Sequence, residues 1–304
     1  MDKIRIGIPR SIYYYYFIDM WRYFFEELDC EIVESPNTTK YIIDEGIKYT
    51  NDEMCLSLKI YMGHVSYLKD KCDFLLIPRI DNYGITNQTC TNFLSLYDIV
   101  NNTFKVKIIN YNIDTNGGNS ELHGLIKIGK ELKKSRFEVI RAYQIALIKQ
   151  NKIRKKQILT NYSKLSSNKL KVLVVGHPYN IYDNYVGMPI TNFLKKLDVE
   201  IIYADRFDAV VTNKLSKSLS KTLYWKYNKE LIGAIKLVER QIDGIVFVSS
   251  FPCGPDSLVN ELVMRRISLP YVNLIIDDIN SITGIETRLE SFVDILGQKK
   301  QSIN

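Results

Sequence analysis

Paired cysteines are missing from this chain. Its five cysteines, Cys30, Cys55, Cys72, Cys90 and Cys253, are an odd number spread over 304 residues, and no two stand in a CxxC spacing. A disulfide framework, a zinc ribbon and a ferredoxin-type cluster run are therefore excluded as local motifs. Any metal site would have to be assembled from distant segments. Long apolar runs are also missing: none approaches the ~20 residues that a bilayer span needs, so no membrane partner is expected. Neither GxxxxGK[ST] nor GxGxxG occurs, which removes support for nucleotide hydrolysis and classical dinucleotide binding. GxSxG is absent too, so Ser257 is no nucleophile elbow and reads as a helix-capping hydroxyl. The apolar part of the opening MDKIRIGIPR is too short for a signal peptide and reads as a first strand, which predicts a cytoplasmic protein.

What is present is the composition of a globular protein, 46% hydrophobic and 25% charged, in a chain long enough for two cores. The net charge of +7 is unevenly placed. Lys127–Lys171 holds fourteen lysines and arginines against only Glu131 and Glu138. Such a run is either a solvated helical face or a contact for an acidic partner or ligand phosphates. Aromatic residues are sparse there and no recognition motif occurs, so nucleic acid is not expected.

Strand and helix signals alternate. KIRIGIPR, EIVESP, DFLLIPRI and VKIINYNID read as strands in the first third, with helices between them; Ser11 reads as an N-cap for SIYYYYFIDMWRYFFEEL and the threonines of NTTKY as caps for the next helix. Residues 120–167 are helical and basic, and SSNKL has linker composition. KLKVLVVGHP, VEIIYADR, DGIVFVSSF and PYVNLIID are strands of the second half. The pattern predicts two doubly wound Rossmann-like α/β lobes with parallel sheets: residues 1–118, a basic helical connection at 119–167, and residues 168–304.

In such sheets ligands bind beyond the carboxyl ends of the strands. The segments IPR (8–10), IPR (77–79), GHP (176–178) and FPCG (251–254) all sit there, and Cys90 opens the helix after the second IPR. If the lobes face one another, Cys55, Cys90 and Cys253 converge in the cleft between them. Three thiolates suit zinc or an iron–sulfur cluster, whereas a lone intracellular cysteine is ordinarily a small buried hydrophobe. Cys30 and Cys72, at helix ends, read as structural. Gly254 would let the backbone approach a bulky ligand. His177 and Arg79, at strand tips, and Asp256 and Ser257, after Cys253, are the candidates for contacts around the ligands or with substrate. His64 is a weaker candidate than His177 for acid–base work or such contacts, with a packed histidine as the alternative, and His123 has no role.

Taken together, GIPRSIYYY, NDEMCLSLKIYMGHV, FLLIPRI with Cys90, VGHPYNIYDNYVGMPI, SSFPCGPDSLVNEL and TGIETRLESFVDIL resemble the acyl-CoA dehydratase activase-related proteins, relatives of the 2-hydroxyacyl-CoA dehydratase subunits. The resemblance runs from Ile6 to about Leu296. It implies α/β lobes holding a [4Fe-4S] cluster by three cysteines, here Cys55, Cys90 and Cys253. It also implies a separate activator ATPase or homologous dehydratase-like subunit as partner, an electron supplied by that ATPase, and an acyl-CoA-type substrate. The chain carries no phosphate loops of such an ATPase. It also departs from the pattern at DDINSITG (277–284), where relatives carry an acidic-His-Thr-Gly run and this sequence has no histidine. The competing expectations are a non-catalytic binding or assembly subunit, and a zinc protein using the same thiolates.

Overall fold

Apolar β-branched runs become short strands, and the amphipathic segments between them become helices. The computed structural model describes residues 3–278 and 282–301. The chain divides into two compact units, residues 1–153 and 154–304. In chain order the first contains β1 (Arg5–Ile8), α1 (Tyr14–Glu27), β2 (Glu31–Glu34), α2 (Lys40–Ile47), α3 (Leu56–Leu68), β3 (Phe74–Asn82), α4 (Thr91–Leu94), α5 (Leu96–Thr103), β4 (Ile108–Asp114) and α6 (Glu121–Glu131). Helix α7 (Arg136–Ser163) carries the chain through the division. The second unit contains β5 (Lys171–Val175), α8 (Pro178–Ile181), α9 (Met188–Lys196), β6 (Glu200–Tyr203), α10 (Ala209–Ser216), α11 (Lys226–Val238), β7 (Gly244–Ser250), α12 (Gly254–Met264), β8 (Tyr271–Ile276) and α13 (Ile282–Gln301).

Each unit holds a four-stranded, wholly parallel sheet, ordered β2-β1-β3-β4 and β6-β5-β7-β8. The expected α/β architecture of two parallel-sheet lobes is therefore present. Helices cover the sheets, so central strands are apolar on both faces; all seven residues of β7 are buried. Among the described residues no helix is long and apolar enough to cross a membrane.

The two units repeat one another in detail. In each, an aspartate just before the third strand accepts a hydrogen bond from the first N–H of the first strand, Asp73 from Arg5 at 2.8 Å and Asp243 from Lys171 at 2.7 Å. In each, the helix before the second strand ends on a left-handed aspartate, Asp29 and Asp198, both at φ 57°. The following N–H groups return to the helix carbonyls, Cys30 to Phe25 and Val199 to Leu194. This is a Schellman ending, in which a short polar residue tolerates the left-handed conformation.

The helix pairs α2–α3 and α10–α11 repeat as well. A Cβ on Gly63 would lie 1.9 Å from the Ile42 carbonyl oxygen, and one on Gly233 would lie 1.8 Å from that of Thr212. Only hydrogen fits between these helices, so both pairs pack backbone against backbone.

One local expectation is corrected. Ser11 does not cap α1: the helix begins at Tyr14, after Ile12 turns the chain through φ 49°. The Ser11 hydroxyl instead points to the Ser57 carbonyl at 3.5 Å, and its own carbonyl accepts from Tyr14. Thr39 does cap α2, accepting from Ile42 N–H.

Replacing either inter-helix glycine, Gly63→Ala or Gly233→Ala, is expected to lower stability by about 2–3 kcal/mol, because backbone must move to admit the methyl group. Gly297→Ala, at an open helical position with nothing within 4 Å, is expected to leave stability unchanged or raise it. Urea denaturation of the three variants checks this.

Candidate functional site

Parallel pairing places the loops after all the strands of a unit along one sheet edge. In the first unit, Arg10 follows β1 and is held over the end of β2. Its guanidinium donates to Glu34 and Asn37, both at 2.8 Å, and its N–H to Ser35 Oγ at 2.8 Å. Burial pushes the Glu34 carboxyl up, but hydrogen bonds from Tyr14 and Arg22, together with the charges of Arg22 and Arg10, hold it below its ordinary value. His64, on α3, is fully buried. Its Nε2 meets Thr38 Oγ1 at 3.0 Å, while Nδ1 has no hydrogen-bond partner. Burial, reinforced by the Arg10 charge, pulls its pKa down to about 3, so the ring is neutral in the folded protein.

The cysteines fall into two groups. Cys30 and Cys72 lie against packed structure, with their thiols directed to the carbonyls of Leu28 and Leu68 at 3.7 and 3.4 Å. Burial raises both, that of Cys72 to about 11. In the repeat their places are taken by Val199 and Ile242, both buried, so these thiols stand where hydrocarbons serve equally. Cys55, Cys90 and Cys253 instead occupy the N-cap positions of α3, α4 and α12, each with extended backbone and no side-chain cap bond. Cys90 and Cys253 are counterparts, each opening the helix that follows the third strand of its unit. Cys55 opens the helix whose counterpart, α11, opens at Trp225.

Around Cys253 the second unit builds a buried polar group. Asp256 Oδ1 accepts from Asn228 at 2.8 Å and lies 3.0 Å from His177 Nε2. The Cys253 thiol hydrogen-bonds the same carboxylate. Burial pushes the Asp256 carboxyl up, but His177, Asn228 and Cys253 outweigh it and leave the pKa below its ordinary value. His177 stacks on Tyr179 with ring centres 5.0 Å apart and meets the edge of Tyr227. Ser250, at the end of β7, donates to Asn180 at 2.7 Å.

The structure thus brings His177, Asp256 and Cys253 together. It places Cys55 and Cys90 at helix starts of the other unit. Arg79, in the first unit, pairs with Asp98, its guanidinium 3.4 Å away in a half-exposed pair. The expectation of Ser257 as a cap is corrected: α12 starts at Gly254, which leaves Ser257 exposed inside the helix, its N–H bonded to the Cys253 carbonyl. A Cβ on Gly254 would meet nothing within 4 Å, so packing does not demand glycine there. Of DDINSITG, residues 279–281 lie outside the described residues. Sequence reasoning missed Asn228, which completes the Asp256 group from α11. Its signal was a polar residue on the buried face of an amphipathic helix. Among the described residues no three His, Cys, Asp or Glu side chains are grouped to hold a metal ion.

Two outcomes are expected. Asp256→Ala leaves His177 and Asn228 without their buried partner, and should cost about 3 kcal/mol in chemical denaturation. For His64, the folded pKa lies below the unfolded value of about 6.5. Its contribution is complete above that value and is lost as pH falls, by about 3 kcal/mol at pH 4. His64→Gln should remove that part of the acid sensitivity when denaturation is compared at pH 7 and pH 4.

The profile described as CoA enzyme activase uncharacterised domain (DUF2229) matches residues 5–207. Cys55, Cys90, Arg79 and His177 fall inside the match, and Cys253 and Asp256 lie beyond it. No curated protein matches the chain. Among solved structures, one titled as ZnuA is 11% identical with TM-score 0.28, over 96% of this chain and 99% of that one. A sugar transporter from Clostridium phytofermentans is 12% identical with TM-score 0.22, over 91% and 97%. Likeness this distant carries no argument about site or activity. The family match spans most of the chain, and the chain belongs to the CoA enzyme activase uncharacterised domain family.

Proposed function

We propose that this protein is an iron–sulfur redox component of the 2-hydroxyacyl-CoA dehydratase/activase-related type, with Cys55, Cys90 and Cys253 as the ligands of one [4Fe-4S] cluster. The observation that supports it most is the sorting of the five cysteines. Two occupy packing positions that the repeat fills with Val199 and Ile242, and three stand at helix N-caps with no side-chain cap bond, Cys90 and Cys253 after the third strand of their units and Cys55 after α2. The grouping of the three rests on that shared setting and not on their distances. The donor set fits the group: soft thiolates are the ligands such clusters take. Open space at Gly254 agrees with a ligand of some bulk beside Cys253.

A bound cluster would accept and pass on a single electron. The electron comes from a separate partner ATPase, and is used on an acyl-CoA-type substrate or relayed to a homologous subunit. Without a cluster the Cys253 thiol donates to Asp256, which His177 and Asn228 fix in place; as a ligand Cys253 would be a thiolate, its proton given up and this hydrogen bond with it.

A second reading, a binding or assembly subunit, draws on α7, where Lys152, Arg154, Lys155 and Lys156 are all exposed. Such a face would dock an acidic partner or CoA phosphates, and its binding would weaken with salt.

Protein purified without oxygen is expected to be brown and to carry iron and acid-labile sulfide in equal amounts. Cys55→Ser, Cys90→Ser and Cys253→Ser should each lower both, while Cys30→Val and Cys72→Ile retain them. Zinc in place of iron, or iron content indifferent to all three serine variants, sinks the proposal.

A further inference from the structure

We propose that the second unit carries a binding site for a small organic cation, an amine on a compact apolar body, at the carboxyl end of β8. A cavity of about 320 Å3 lies there between α9 and α13. That is within the range of small-molecule pockets. Its walls are largely apolar, with Val186, Ile190, Phe193 and Leu289 among them, and two carboxylates, Asp277 and Glu286, stand in the lining. Among the described residues no lysine or arginine lines it.

Charge complementarity decides the ligand class. The chain as a whole carries +7, yet this concavity presents two acidic side chains and no basic one. A carboxylate or the phosphates of a CoA ester would be repelled, so the cavity is separate from the acyl-CoA chemistry proposed above. A divalent metal ion is disfavoured by the apolar walls, and among the described residues no group of three metal-ligating side chains occurs. An ammonium group is satisfied by carboxylate oxygens, and hydrogen bonds between charged partners are about twice as strong as neutral ones. The apolar remainder of the ligand gains by leaving water for the Ile190–Phe193–Leu289 wall.

The site is tested on the full chain with hexylamine, hexanol and hexanoate, which share one apolar body and differ in the head. Saturation-transfer NMR and the thermal midpoint report binding. Hexylamine is expected to bind and raise the midpoint, with hexanol weaker and hexanoate silent. Glu286→Gln, a change at a partly exposed helical position, should weaken the amine about tenfold, and Ile285→Trp should block it by filling the space. The proposal is overturned if hexylamine does not bind, if hexanoate or hexanol binds as well, or if neither variant alters amine binding.

Discussion

Parallel strand pairing is the constraint on which everything else here depends. Once all four strands of a sheet run the same way, every connection must cross a face of the sheet, and every loop that follows a strand arrives at the same edge. That geometry brings His177, after β5, to Asp256, after β7, although 79 positions separate them. It also explains why the central stretches of the strands are buried and largely apolar. Helices cover both faces, so a strand that kept a polar side would bury it without a partner.

The repeat shows how much chain is spent on the frame and how little on the site. The aspartate pin at the start of the first strand, the left-handed aspartate before the second, and the glycine between the paired helices all recur. The residues at the carboxyl edge do not. Where the first unit follows β1 with an arginine bound to Glu34, the second follows β5 with a histidine bound to Asp256. Both edges bury charge, and both satisfy it through side chains supplied by other elements. A buried charge survives only with such partners.

The strands and most helices were legible because alternation of apolar runs with amphipathic segments is a strong signal. Helix α10 was not: it exposes Val210 and is started by Asp208 bonding two N–H groups. It offers no long periodic face. The helix read from Cys90 onward is present as two, α4 and α5, with only Ser95 between them. The repeat was not read from the sequence: LDCEI against LDVEI is a short match that gains meaning only when both stretches form the same helix ending. Of the site, Cys253 and His177 could be read from their addresses at strand ends, and Cys55 and Cys90 from helix starts. Asn228 could not, because its partner is fixed by tertiary packing of α11 and by nothing near it in sequence. The misreadings of Ser11 and Ser257 share one cause: a hydroxyl near a helix start was taken as a cap, whereas backbone turns before α1 and Cys253 before α12 already set the boundary.

The two inter-helix glycines and the three N-cap cysteines are held in place by different pressures. Gly63 and Gly233 answer to folding: any side chain there forces two backbones apart. At Cys55, Cys90 and Cys253 no side-chain cap bond starts the helix, and a serine would force no backbone apart. A lineage selected only to keep a folded protein would hold the glycines more tightly than these thiols. Their persistence or loss among descendants of this chain is thus a record of use as well as of packing.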